Sequence, residues 1–326
     1  MRIAVDGMGG DHAPEQIVMG AAQAVRELGI DVTVVGQPAR VKPLIEHENG
    51  LRFAPAAEVV GMDEHPAQAV RSKRDSSMAV CARMVREGGA EGWVSAGNSG
   101  AIMATALLVQ GRIRGVDRPA LGTVLPTGAE PCYFVDVGAN VDSKPEYLVQ
   151  FARMASVFSS EVMGRDDPRV GLLCNGEEEG KGDQLVRDVH QRLRRDGGGM
   201  RFVGNVEPKE VLAGGADVVV ADGFVGNVAI KMAEATTELI LRSLREEIPR
   251  TLGGKVGGLL IRPGVNRIRG RIDWREYGGA PLLGIEGVAV VAHGRSDARA
   301  VRNAIRVAGQ AVDAGLVEKI REAVAR

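Results

Sequence analysis

The amino-acid sequence predicts an α/β fold, layered on a mainly parallel sheet. Three observations carry that expectation. Short β-branched runs alternate with stretches of helical periodicity along the chain. Several of those runs are apolar throughout, as in strands covered on both faces. Polar or glycine-rich loops follow the strands directly, at the end of such a sheet where ligands gather.

The predicted strands are Arg2–Asp6, Val32–Val35, Gly92–Ser95, Ala120–Leu125, Cys132–Val137, Val170–Cys174, Met200–Val203, Asp217–Ala221 and Val288–Ala292. Predicted helices span Pro14–Leu28, Ser76–Arg86, Ser99–Gln110, Pro145–Val162, Gly182–Arg195, Asn227–Glu247 and Ser296–Ala314. The uncharged stretch Gly92–Gly111 is long enough to raise the question of a membrane span. Its Ser95, Asn98, Ser99, Thr105 and Gln110 and its four glycines favour a buried strand, a polar turn and a buried helix instead. With no internal repeat and no low-complexity linker, residues 1–326 are expected to form a single catalytic-size α/β domain. Residues 248–275 differ in composition, combining Gly-Gly-Leu-Leu-Ile with seven basic residues and one acid, Asp273, from Pro249 to Arg275. They read as a protruding helical tip.

Hydrophobic residues make up 44% and charged residues 25% of the 326, the balance of a globular protein, while 3% aromatics leave the core to Val, Leu, Ile, Ala and Met. A net charge of −1 gives no global reason to expect nucleic acid as a partner. Cys81, Cys132 and Cys174 are too few and too scattered for a disulfide framework or a zinc site. Met1 leads into Arg-Ile-Ala-Val-Asp without signal-peptide anatomy, so a cytoplasmic location is expected.

Six strand-end loops are candidates for chemistry. In Asp6-Gly7-Met8-Gly9-Gly10-Asp11-His12 the glycines allow close backbone approach to an anion or, equally, a tight turn with an aspartate cap. His12 stands where a dinucleotide fingerprint needs its third glycine. Ser95-Ala96-Gly97-Asn98-Ser99-Gly100-Ala101 offers helix-start amides for phosphate, or a plain cap through Asn98 or Ser99. Asp136-Val137-Gly138-Ala139-Asn140 runs on to Asp142, Ser143, Lys144 and Pro145 without a histidine or further carboxylate at ligand spacing, so no metal is expected there. Asn175-Gly176-Glu177-Glu178-Glu179-Gly180-Lys181-Gly182-Asp183 fails the nucleotide P-loop pattern at Asn175 and Gly182. Lys181 can instead offer charge to phosphate or to a developing oxyanion, or be an ordinary surface lysine. After Asp222, Asn227 reads as the residue that opens the next helix and can donate to an oxyanion; a capping role is the simpler alternative. His293, ahead of Gly294-Arg295-Ser296-Asp297, is the histidine best placed to act as a general base, or is structural. Cysteine nucleophiles are disfavoured, and no Gly-x-Ser-x-Gly elbow occurs.

Taken together, several strings resemble the acyl-acyl carrier protein:phosphate acyltransferase family. They are Met1–Pro14, Ala69–Met78, the Ser95–Ala101 and Asp136–Asn140 loops, Asp222–Lys231 and Glu276–Gly284, and the likeness runs from residue 1 to about residue 310. Gly7, Cys174, Asn175, Asp183 and Arg295 depart from the family's usual residues. The resemblance implies a three-layer α/β/α fold like isopropylmalate dehydrogenases and phosphotransacetylases, built as a homodimer. It implies transfer of an acyl group from acyl-acyl carrier protein to inorganic phosphate, an early step of phospholipid synthesis, with no cofactor. Catalysis falls on Lys181 and Asn227 by that resemblance, with His293 as a helper. Substrate contacts are expected at Asp6, Gly9, Gly10, Gly97, Asn98, Ser99, Asp136, Gly138, Asn140 and Asp222. The family's peripheral membrane contact maps to the tip. There Leu259, Leu260, Ile261, Arg262, Arg267, Arg269 and Arg271 suit an anionic lipid surface or the acidic carrier protein. Competing readings are a phosphotransacetylase using acyl-coenzyme A, a decarboxylating dehydrogenase of the same fold, and a non-enzymatic lipid or acyl-carrier binder.

Overall fold

The computed structural model describes residues 1–46 and 48–325, with Leu252 by its backbone alone. Eleven strands form one sheet: β1 (Arg2–Asp6), β2 (Asp31–Gly36), β3 (Leu51–Pro55), β4 (Gly92–Ser95), β5 (Ala120–Leu125), β6 (Cys132–Val135), β7 (Arg169–Leu173), β8 (Arg201–Val206), β9 (Val218–Val220), β10 (Ala280–Leu283) and β11 (Val288–Val291). Their order is β3-β2-β1-β4-β11-β10-β5-β6-β9-β7-β8. Most neighbours are parallel, as expected. The exceptions are β10 against β11, β10 against β5, and β5 against β6. The β5–β6 connection is short, which an antiparallel pair permits and a parallel crossover does not. As a result β1, β2, β3, β4, β5 and β11 run one way, and β6, β7, β8, β9 and β10 the other.

Alternate residues of each strand enter different cores, the period-two consequence of the pleat. Ile3, Val5, Val34, Val94, Val170, Val218 and Val290 join one cluster; Ala4, Val35, Trp93, Val219 and Val291 join the other. The first is covered by helices Glu15–Leu28, Pro145–Glu161, Gln184–Asp196, Ala298–Asp313 and Leu316–Val324. Helices Ser77–Arg86 and Ser99–Thr105 cover the second, making three layers. The uncharged stretch resolves into β4, a turn, and a helix that ends as a π-helical turn, Ala106–Gln110. Trp93 Nε1 donates to Gln110 Oε1 at 2.8 Å and locks that end inside the core. Among the described residues, no helix is long and apolar enough to cross a membrane.

Two strands lie outside the sequence expectations. β3 is an edge strand with an exposed arginine, Arg52, paired to Asp31 across the ladder. β10 contains Pro281, a residue that argues against strand, yet it pairs with β11 through Ala280 and Pro281 and with β5 through Leu282 and Leu283. Helix Gly223–Glu247 begins four residues before the expected start at Asn227, with Asp222 as its cap. Beyond it come Ile248–Arg250, helix Leu252–Ile272 and Trp274–Glu276, and no described residue of Leu252–Ile272 is buried.

Candidate functional site

Strand direction sorts the six loops into two clusters. β1, β4 and β11 are parallel neighbours, so the loops after them share one end of the sheet. There Gly9 packs so closely on Asp6, Ser95 and Gly97 that a side chain would meet all three within 3 Å. Asp11 N donates to Gly294 O at 2.8 Å and ties in the third loop. β6, β9 and β7 are likewise parallel neighbours, and their ends carry the Asp136, Asp222 and Lys181 loops.

Helix Gly223–Glu247 joins the clusters. Near its start Asn227 Nδ2 donates to Val137 O at 2.8 Å and lies against Gly138. One and two turns further on, the charges of Lys231 and Glu234 act on His293. At about 1.5 Å per residue, Asn227 and Lys231 are separated by about 6 Å along the axis. Both loop clusters therefore border the same face of one helix.

Each cluster is organised by a buried aspartate. Asp136 takes Leu121 N (3.1 Å), Gly138 N (3.2 Å), Ala139 N (3.0 Å), Asn140 N (2.7 Å) and Asn140 Nδ2 (2.9 Å). Asp6 takes Ser95 Oγ at 2.6 Å and Met8 N at 3.1 Å. Burial pushes both carboxyls above the usual aspartate range, against the opposing pull of these hydrogen bonds. The amides of Gly138, Ala139 and Asn140 already have an acceptor, and so does Gly97 N, which donates to Ser95 Oγ at 3.1 Å. At the long helix, Phe224 N and Val225 N donate to Asp222 Oδ1 and Gly223 N to Asn140 O. These amides shape the loops.

Asn98 likewise has structural work: its Oδ1 caps Ala101 N at 3.1 Å, and its Nδ2 donates to Met62 O and Glu64 O. Ser99 is exposed beside it. Gly10 adopts φ +103 against Ala96, a conformation that glycine alone adopts readily. Lys181 is exposed, its stem packed on Gly176, and its ammonium is in no hydrogen bond or ion pair among the described residues. Asn227 keeps a second amide hydrogen beyond the one given to Val137. Cys132, by contrast, has its thiol pushed up to about 12 by burial.

His293 is exposed, and its ring lies tilted against Trp274, ring centroids 5.0 Å apart. Its Nδ1 accepts Arg295 N at 3.2 Å, so the neutral ring carries its proton on Nε2. In that tautomer Nε2 is a hydrogen-bond donor. Burial lowers the His293 pKa from 6.5, Arg295 and Lys231 lower it further, and Glu234 and Asp11 oppose them. A pKa below the unfolded value means a ring that is neutral at pH 7, whose contribution to stability is present above pH 6.5 and lost as pH falls through the folded value. Protonation adds a proton at Nδ1 and removes the acceptor of Arg295 N, which unfastens this loop, so turnover should fall on an acid limb centred below pH 6.5. The ratio of His293→Gln to parent rates over about pH 5 to 8 cancels the titration of phosphate itself and should rise as the parent's limb is crossed.

The residues that sequence reading passed over are Lys231, Glu234 and Trp274. A signal existed for Lys231, which is one turn beyond Asn227 on the same helix face. None existed for Trp274, whose neighbour His293 is brought to it only by the fold. At the tip, Leu259 and Leu260 are 74% and 78% exposed, with Ile261 and the arginines at 262, 267, 269 and 271 also at the surface.

The strand order and the paired loop clusters define an α/β protein with the fold of the phosphotransacetylases. A phosphotransacetylase from Streptococcus pyogenes superimposes with a TM-score of 0.66 at 19% identity, over 96% of this chain and 94% of that one. A branched-chain phosphotransacylase from Enterococcus faecalis V583 gives 0.59 at 13% identity, over 95% and 99%. Residues 1–319 match the fatty acid synthesis protein family, and the chain belongs to that family. The phosphate acyltransferase of Desulfitobacterium hafniense strain Y51 is 48% identical over 330 residues, covering 100% of this chain and 98% of its own length. That of Nostoc punctiforme is 47% identical over 326 residues, covering 98% and 96%.

Proposed function

We propose that the chain is an acyltransferase that moves a fatty acyl group from acyl carrier protein to inorganic phosphate. A phosphate oxygen attacks the thioester carbonyl carbon, the C–S bond breaks, and the carrier leaves as its thiol, taking the proton given up by phosphate. The observation that carries this reading is helix Gly223–Glu247, whose one face borders both loop clusters. Phosphate is already a nucleophile, so the protein must orient it and stabilise charge on the carbonyl oxygen. Lys181 supplies the mobile positive charge and Asn227 its spare N–H, with His293 Nε2–H and the exposed Ser99 as further donors. Asp6, Gly9, Gly10, Gly97, Asp136, Gly138, Asn140 and Asp222 serve by holding the loops in shape. Incubation with 18O-phosphate should give acyl phosphate that retains every labelled oxygen and one free carrier thiol per product. Loss of one label, or thiol release without phosphate, contradicts direct attack. Running acyl-coenzyme A in parallel distinguishes this reading from the phosphotransacetylase alternative, and an equal rate with that donor favours the latter.

Partner and membrane contacts follow from exposed apolar surface. Leu239, Ile240 and Leu244 on helix Gly223–Glu247 are 52%, 54% and 43% exposed, a face suited to a second copy of the chain. Leu259, Leu260 and Ile261, flanked by arginines, suit peripheral contact with an anionic bilayer. Replacing Leu259 and Leu260 together by Glu should abolish co-sedimentation with anionic vesicles; unchanged binding would remove these leucines from the membrane contact.

A further inference from the structure

We propose that Asn205, held by the buried His190, is a positioning residue for the loop that carries Lys181. The inference rests on the role assigned to Lys181 above. Asn205 lies on β8, beside β7, whose end leads into the Asn175–Asp183 loop. It is 5% exposed, and its Nδ2 donates to Glu178 O at 2.9 Å. The same carbonyl accepts Lys181 N at 3.0 Å. Asn205 thus grips the atom that closes the turn on which Lys181 sits.

The orientation of Asn205 is itself secured. With Nδ2 engaged at Glu178, Oδ1 faces His190 Nδ1 at 2.9 Å, so the ring nitrogen must be the donor. His190 is 4% exposed and its Nε2 is buried without a partner among the described residues. A position that needed only volume would hold an apolar side chain there. A histidine with one unpartnered nitrogen is retained where its other N–H is required.

The backbone is shaped for the same purpose. Along β8 the register slips between Phe202, opposite Val170, and Gly204, opposite Gly171, leaving Val203 as an extra residue. Such a bulge turns the following side chains to the other face. Phe202 stacks edge-on to His190 at 5.2 Å, and Asn205, an odd number of residues later, also reaches His190. Without the bulge the two would point to opposite faces. Gly204, at φ +99, supplies the required backbone conformation.

Asn205→Asp keeps an oxygen for His190 and loses the donor to Glu178. It should lower kcat about tenfold or more, with KM for acyl carrier protein little changed, and in a Lys181→Ala background should cost less than about twofold. His190→Gln, which can still donate to Asn205, should retain most of the kcat that His190→Leu loses, with equal melting temperatures separating position from folding. A normal kcat for Asn205→Asp beside a slow Lys181→Ala overturns this inference alone. The same fractional loss in both backgrounds also overturns it. A near-normal Lys181→Ala overturns the assignment of Lys181 and the inference with it.

Discussion

Lys181→Ala is expected to lower kcat by about 100- to 1,000-fold, the range typical of removing one preorganised group that stabilises developing charge. Its fold should be untouched. The side chain is exposed, its stem lies against Gly176, and it forms no ion pair among the described residues, so the stability change should stay within about 0.5 kcal/mol. The separation of these two effects matters. A surface lysine would lose neither activity nor stability, and a structural one would lose both. Thiol release at saturating phosphate, measured beside a thermal melt, reads each directly. Lys181→Arg should recover only a part, because guanidinium is a planar fork on a longer, stiffer head, where the turn presents a compact ammonium.

Asp136→Ala should cost about 3–4 kcal/mol of stability together with nearly all turnover. The carboxylate is fully buried and is the acceptor for three consecutive loop amides, for Leu121 N, and for the Asn140 side chain. Removing it strands those donors where water reaches them poorly, and an unmade buried hydrogen bond is more costly than a made one is stabilising. The loop that loses shape also presents Val137 O to Asn227 and Asn140 O to Gly223, so the start of the long helix loosens with it. Denaturant unfolding checks the first effect. If stability holds and activity alone falls, Asp136 contacts substrate instead.

Much of the fold was legible because the strongest strands are also the most apolar. β1, β4 and β5 have the bounds expected from their runs. The misses have specific causes. Leu51–Pro55 is a short edge with a charged residue, and Ala280–Leu283 hides behind Pro281. The helix reads as starting at Asn227 because Gly223 and Gly226 look like loop residues. In the fold they are helical, and they are glycine because the Asp136–Asn140 loop crosses at close range: a side chain on Gly223 would meet Asn140 O at 2.5 Å, and one on Gly226 would strike the Asp136 carbonyl.

The site was legible in its parts. Local sequence shows loops after strands, glycines and a lysine. It does not show which loop amides are already occupied, and that depends on where buried carboxylates point. Nor does it show that β8 is bulged, or that Lys231 and Trp274 converge on His293. Those facts come from pairings between residues far apart in the chain, and they shift the expected work of anion binding from backbone amides to side chains.

Crystallisation with orthophosphate tests the central claim most directly. The ion should be found within hydrogen-bond reach of Lys181 Nζ and Asn227 Nδ2, on the helix face shared with His293. Orthophosphate bound elsewhere, with those two side chains facing empty solvent, would contradict it.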